Sequence, residues 1–512
     1  VFTFTPGNAR LTLPGVLAAL ACGEVQGFPA LRSHQHAPWH QFLTQLATLA
    51  LWHAGRSGIP EDAATWADML RGLTPEDGDD APWCLAAPPE RPAFLQPPAV
   101  NGVTWHREDT PDAIDLLITS RNHDLKQAVA TDAAAEDWAY ALIALQTQEG
   151  YGGAGNYGIA RMNGGSSSRP CLGLAPAGED ADRVDPSAWW RRDVARLLAA
   201  RPLEPDETPS DRPTVGTLGG PALLWCPGWP EGGQLDLRNL DPLFIEVCRR
   251  IRLTEGGGTL HAWRATSRTP RIDAKAFKGN VGDPWIPVHG KEGKAFTLSG
   301  GDFTYAKINE LIYSGNWTRP PLAEPEDDET GDMLLIAEAL ARGNAKTEGW
   351  KQRIIRVPGE VVSIFHTTTA GDLAKVQAEA EIPVFDRALR DGLALAAADG
   401  QRDTVGRQHY TLTQPARRRF DRVADRLFYP SLWRRLALRV QEADEAAQRE
   451  ARDAFLRDLL TAARHEFNRT LPAIPRSSTR TWAAEVRAER AFHGTIRKQY
   501  PKLYEKETAD AA

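Results

Sequence analysis

Apolar positions recur at helical spacing through the first 200 residues and again after residue 360, and they alternate with turn residues in between. Phe42, Leu43, Leu46, Ala47, Leu49, Ala50 and Leu51 leave almost no polar face on Trp39–Ala54, which predicts a buried helix. Leu13–Cys22, Pro60–Leu73 and Trp189–Ala200 predict further helices, and Ala133–Gln148 a strong one that runs into a glycine-rich stretch. Val1–Thr5 alternates like a short strand. From Val215 to about Gly315 short apolar runs sit between turn signals, at Ala222–Cys226, Glu246–Leu253, Leu260–Thr266, Trp285–His289 and Ala295–Ser299, so this region is expected to be β-rich. After Arg356-Val-Pro-Gly359 glycines become few. Helical patterns cover Thr367–Ala398, Pro415–Phe428, Pro430–Phe467 and Arg480–Tyr500, with capping residues in Thr368-Thr-Ala-Gly-Asp372. The expected fold class is α+β: a large mixed α/β domain over residues 1–359, then a four-helix bundle over 360–512.

A chain of 512 residues exceeds one ordinary core, consistent with more than one domain. The net charge of −7 argues against a protein that coats nucleic acid indiscriminately, but leaves room for local basic faces. Basic residues outnumber acidic ones from Lys375 onward, and the acidic excess lies before it. The five cysteines include no C-x-x-C pair, so neither a zinc ribbon nor a disulfide framework is expected. No apolar run is long enough to span a membrane and no signal peptide is apparent, so the cytoplasm is the default location. The chain opens on Val1 rather than Met, so its true start is expected to lie upstream or to be modified.

The densest chemistry lies in Gly150-Tyr-Gly-Gly-Ala-Gly-Asn-Tyr-Gly158, followed by Asn163-Gly-Gly-Ser-Ser-Ser168 and Arg169-Pro170. Glycine removes side-chain bulk and permits positive φ, so another backbone can approach closely. Asn, Ser and Arg beside it offer donors. A nucleic-acid backbone or groove edge suits such a surface, a nucleotide phosphate is a second candidate, and a plain surface loop a third. The dinucleotide fingerprint is matched only loosely, because these glycines follow a helix and not a strand. Lys275-Ala-Phe-Lys278-Gly-Asn280 and the segment Arg342–Arg353 read as turns bearing phosphate-neutralising side chains, the second with a small polar tip at Asn344–Lys346. Ser33-His34-Gln-His36-Ala-Pro-Trp39-His40 holds an H-x-H pair without a nearby carboxylate in sequence, which favours capping and packing over zinc. Glu326-Asp-Asp-Glu329 reads as a solvated linker. The G-x-S-x-G, H-E-x-x-H and Walker A patterns are all missing from the sequence, so no catalytic residue, metal or cofactor is expected.

Taken in order, Glu90-Arg-Pro-Ala-Phe-Leu-Gln96, the Asp115–Ala128 segment, the glycine stretch, Gly220-Pro-Ala-Leu-Leu-Trp225 and the Gly343–Pro358 turn resemble the large subunit (CasA) of the type I-E CRISPR surveillance complex, Cascade. The resemblance implies a non-enzymatic subunit that recognises the protospacer-adjacent motif in double-stranded DNA. It further implies that the subunit starts strand separation and recruits a helicase-nuclease, while a guide CRISPR RNA reads sequence by base pairing. By position it places the minor-groove glycine loop on Gly152, Gly153, Ala154, Gly155 and Asn156, and a lysine finger on Lys275 or Lys278. It places the strand-separating wedge on Asn344, Ala345 and Lys346, and contacts to the guide's 5′ end and neighbouring Cascade subunits on Ser120, Arg121, Asn122, His123 and Asp124. The family's opening strand with its Trp-Ile-Pro motif has no counterpart at Val1, and Trp285-Ile-Pro287 is read as coincidence. The competing expectations are an enzyme holding a phosphate or sugar-nucleotide on the glycine loop, and a scaffold that touches only protein.

Overall fold

Helix starts and stops follow from local chemistry in a computed structural model that describes residues 2–7, 9–115, 133–178, 180, 183–201, 215–343 and 346–504. Helix α1 (Leu13–Cys22) begins where the Thr12 hydroxyl accepts from Gly15 N and Pro14 occupies the first turn, and ends at Gly23 with φ 79°. Helix α2 (His36–His53) is buried from Ala37 to Leu51. Its polar residues are bonded there: Gln45 Nε2 donates to Leu243 O and Phe244 O, both at 3.0 Å. Helix α3 (Ala63–Gly72) is capped by Asp62. Helix α4 (Ala135–Gln148) is buried from Trp138 to its last residue, and α5 (Pro186–Ala199) starts under the Asp185 carboxylate.

The chain divides into two compact units, one of Val1–Phe303, Asn316–Pro325 and Asp332–Arg356, the other of Thr304–Gly315, Glu326–Gly331 and Val357–Ala512. In the first unit, β1 (His106–Glu108), β4 (Arg250–Gly256) and β5 (Thr259–Ala265) form an antiparallel sheet of order β1-β5-β4. The longer sheet has order β10-β9-β2, with β2 (Cys171–Pro176), β9 (Met333–Gly343) and β10 (Lys346–Val357). Two further pairs join β3 (Leu235–Asp236) with β6 (Ile272–Asp273), and β7 (Val288–His289) with β8 (Trp317–Thr318). Helices α1, α2, α4 and α5 and both larger sheets contribute to one core.

Several sequence expectations change. Val1–Thr5 yields only a bridge from Phe4 to Leu11, and neither Ala222–Cys226 nor Ala295–Ser299 forms a strand. Arg342–Arg353 is no broad turn, since all its described residues belong to β9 and β10.

The second unit contains α6 (Tyr305–Tyr313), α7 (Thr368–Lys375), a π-helical segment at Val376–Glu381 that runs into α8 (Ile382–Ala397), and the long helices α9 (Arg407–Val440), α10 (Glu445–Thr470) and α11 (Thr481–Gln499). Helix α8 packs against α9, α10 and α11. The expected break at Pro430 does not occur, because α9 runs through both Pro415 and Pro430. The chain turns at Glu442, with φ 50°, and restarts where Asp444 caps Ala447 N. Proline removes one donor but does not force a helix to end when packing holds both sides, and here Phe428, Tyr429, Leu432 and Trp433 are buried around it.

Candidate nucleic-acid interface

The glycine stretch is held at many points. Tyr151 N donates to Gly165 O (2.7 Å), Gly152 N to Asn156 O (2.8 Å), Asn156 N to Gly153 O (3.0 Å) and Ile159 N to Glu149 O (2.9 Å). Residues distant in sequence fasten it further. Ser267 N donates to Gly155 O (3.0 Å), the Arg249 guanidinium to Gly150 O (2.8 Å), and Tyr157 OH to Arg268 O (2.9 Å). Glycine is required at specific places. A Cβ on Gly150 would lie 2.2 Å from Ser167 O, and one on Gly155 would lie 2.6 Å from Thr266 Cβ with φ already at 79°. Gly153, with φ 111°, faces open space. Tyr151, Gly152 and Ala154 are exposed, so the loop presents a fixed backbone surface.

Beneath it lies a buried ionic cluster. Arg161 and Arg169, each 1% exposed, share Asp283, with Nε of Arg161 at 3.3 Å and Nη2 of Arg169 at 2.7 Å from the same carboxylate oxygen. Arg169 therefore supports the loop from below and is not the outward donor its sequence position suggested. Arg161 also lies 3.8 Å over the Phe244 ring. Glu246 accepts from Ala160 N at 2.5 Å. Burial pushes its carboxyl up to about 7 against the pull of Arg161, and the same burial brings the Arg161 guanidinium down to about 10.

The lysine turn meets this stretch. Lys275–Phe277 is one 3-10 turn, Lys278 follows in the left-handed region at φ 50°, and both lysines are exposed. A Cβ on Gly279 would lie 2.5 Å from Met162 C and 2.7 Å from Asn163 N, so the two backbones are in contact. The hairpin β9/β10 is tied to the same stretch, with Leu340 N donating to Ser168 Oγ at 2.8 Å and Ser168 N to Leu340 O at 3.3 Å. Of the wedge, Asn344 and Ala345 lie outside the described residues and Lys346 opens β10. Ser120, Arg121, Asn122, His123 and Asp124 also lie outside them.

The histidine cluster is divided among carboxylates that sequence spacing did not reveal. His34 Nε2 sits 2.6 Å from Asp115 and His40 Nε2 2.8 Å from Asp193. Among the described residues no group of three or more His, Cys, Asp and Glu could hold a metal ion, and no helix is long and apolar enough to cross a membrane.

This architecture is that of a known class of CRISPR-associated protein. The chain superposes on Cse1 of Thermobifida fusca with a TM-score of 0.66 at 13% identity, over 98% of this chain and 96% of that one. For CasA (Cse1) of Thermus thermophilus the TM-score is 0.63 at 15% identity, covering 97% of each chain. For Cse1 of Acidimicrobium ferrooxidans it is 0.60 at 15% identity, over 98% and 97%. The fold is thus the CasA (Cse1) fold, the one the sequence resemblance implied. No protein-family model and no curated protein matches the sequence.

Proposed function

We propose that this chain is the large subunit of an RNA-guided complex of the Cascade kind, and that it recognises a short motif in double-stranded DNA without itself catalysing a reaction. The observation that carries the reading is a braced glycine loop followed, at Met162 and Asn163, by backbone in contact with the exposed lysine turn, on a chain with the CasA (Cse1) fold. Gly152–Asn156 lie along the minor groove, where a side chain would hold the duplex away, and Lys275 or Lys278 neutralises a phosphate beside it. Asn344, Ala345 and Lys346, which follow β9 in sequence, part the first base pairs at a cost of roughly a few kcal/mol of unstacking, offset by new contacts. The Ser120–Asp124 segment meets the guide RNA and the neighbouring subunits, and a separate helicase-nuclease acts on the opened DNA.

A phosphate or nucleotide cradle on the glycine loop is less well supported. The amides of Tyr151, Gly152 and Asn156 are spent on loop carbonyls, and helix α4 precedes the loop where a dinucleotide site needs a strand.

The test is duplex binding by this chain assembled with its genomic neighbours and a guide RNA. Motif-dependent binding should disappear when the chain is omitted and when Gly155→Val is introduced. Motif-dependent binding that persists in the Gly155→Val complex, with the chain incorporated normally, refutes the loop assignment.

A further inference from the structure

A half-open cavity of about 350 Å³ in the first unit is lined by neither the glycine loop nor the lysine turn. Its walls include Trp39, Trp189, Trp190 and Trp350, and two polar side chains from the hairpin, Glu338 and Gln352. That volume is at the small end of ligand pockets, which run from about 300 to 1,000 Å³, and suits a planar ring with a sugar attached. The walls supply ring surface, and an aromatic ligand stacks on indole regardless of its identity.

Its polar groups are incompletely satisfied. Glu338 is 4% exposed; one carboxyl oxygen accepts from Gln352 Nε2, and the other, Oε2, is buried without a hydrogen-bond partner. The indole N–H groups of Trp189 and Trp190 are likewise buried and unpartnered. Such groups are costly unless something pairs with them. Burial pushes the Glu338 carboxyl up to about 7, opposed by the hydrogen bond from Gln352, so near neutrality it exists in both forms. The protonated form both accepts and donates. Every nucleobase presents an N–H donor beside an acceptor on its pairing edge, and so matches it.

We propose that this cavity binds one nucleobase, with its face against the tryptophans and its pairing edge on Glu338. The base arrives either as a free nucleoside or as an unpaired nucleotide of a strand.

Equilibrium dialysis of the full chain against adenosine, cytidine, uridine and ribose 5-phosphate tests the site. Adenosine, cytidine and uridine should each bind saturably at one site, with ribose 5-phosphate at least about tenfold weaker. Glu338→Leu should weaken all three nucleosides and leave ribose 5-phosphate unchanged, and Trp350→Leu should weaken them as well, with both variants melting as the parent does. An oligonucleotide holding one cytosine or adenine among abasic positions separates the sources. Much tighter binding than the nucleoside, displaced by the nucleoside, assigns the site to a strand; equal affinity assigns it to the free compound. Failure of the three nucleosides to bind to natively melting protein, equal retention of ribose 5-phosphate, or binding unchanged by both substitutions overturns the proposal. Each of those results leaves the duplex reading standing, because Gly152–Asn156, Lys275 and Lys278 line no part of this cavity.

Discussion

Gly153 and Gly155 need glycine for different reasons. At Gly153 only the backbone angle objects to a side chain, whereas at Gly155 the angle and the Thr266 side chain both do. Left-handed backbone costs a non-glycine residue about 1–2 kcal/mol, and forced overlap adds about 1–3 kcal/mol. Gly155→Ala should therefore destabilise the chain more than Gly153→Ala in urea unfolding. Thr266→Gly should return part of the loss in a double-mutant cycle, and a coupling of zero would show that the contact carries none of the cost. Glu246 makes a prediction of opposite character. Its carboxyl is raised from 4.5 to about 7 in the folded chain by burial, with Arg161, Arg169 and Asp283 around it. The folded state then holds its proton more tightly than the unfolded state. This contribution to stability is complete below about pH 4.5 and is lost as pH rises through about 7. Glu246→Gln removes the titration, so the stability difference between variant and parent should shift in the variant's favour across that window. A difference independent of pH refutes the assignment.

Between elements, the Arg161–Asp283–Arg169 cluster pins both ends of the segment that follows the glycine loop, Asn163–Ser168, to the turn that carries Asp283. Asp283→Asn leaves two buried guanidinium groups without their counter-charge, and should cost about 3–5 kcal/mol by denaturant unfolding. Asp386→Asn breaks the half-exposed pair with Arg417 and should cost less than about 1 kcal/mol. Comparable losses at the two sites would refute the burial argument. None of this cluster was legible in the sequence, because Asp283 lies 114 residues from Arg169 and nothing local to Arg169-Pro170 distinguishes a buried arginine from an exposed one. The same holds for His34 and His40, whose carboxylates are 81 and 153 residues away. Helices were legible where a periodic apolar face or an all-apolar core segment repeats over several turns, as in α2, α4 and α8. Strand β9 was not, since Met333–Ala341 is buried throughout and a continuous apolar run carries no period. Its partner β10 is polar enough to pass for a turn. The glycine loop was visible by composition, but its bracing was not, as Ser267 and Arg249 come from another part of the chain.

For the whole molecule the question is how a chain of net charge −7 meets a polyanion. Runs of basic residues give little guidance, because folding neutralises many of them internally. In the helical unit Arg417 is bound by Asp386, Arg419 by Glu466, and Arg435, nearly buried, by Glu381. Within Arg417-Arg-Arg419 and Arg434-Arg435, Arg418 and Arg434 are the exposed members. In the first unit, by contrast, Lys275 and Lys278 are exposed on a turn whose backbone touches Met162 and Asn163, just after the glycine loop in sequence. Affinity for duplex DNA should therefore depend on a few placed charges and not on the overall balance. Each lysine that displaces a counterion contributes about 0.9 to the slope of log affinity against log salt concentration. In the assembled complex, replacing the one of Lys275 and Lys278 that meets a phosphate should flatten that slope by about one and weaken binding evenly across motif variants. Replacing the other should leave the slope unchanged, which also decides which of the two is the finger. Gly155→Val should instead abolish motif dependence, because it forces the loop away from Thr266 and out of its braced shape and removes no charge. If both lysine substitutions leave slope and affinity intact while Arg418→Ala and Arg434→Ala flatten the slope, the duplex is held by the helical unit and the glycine loop is not its reader.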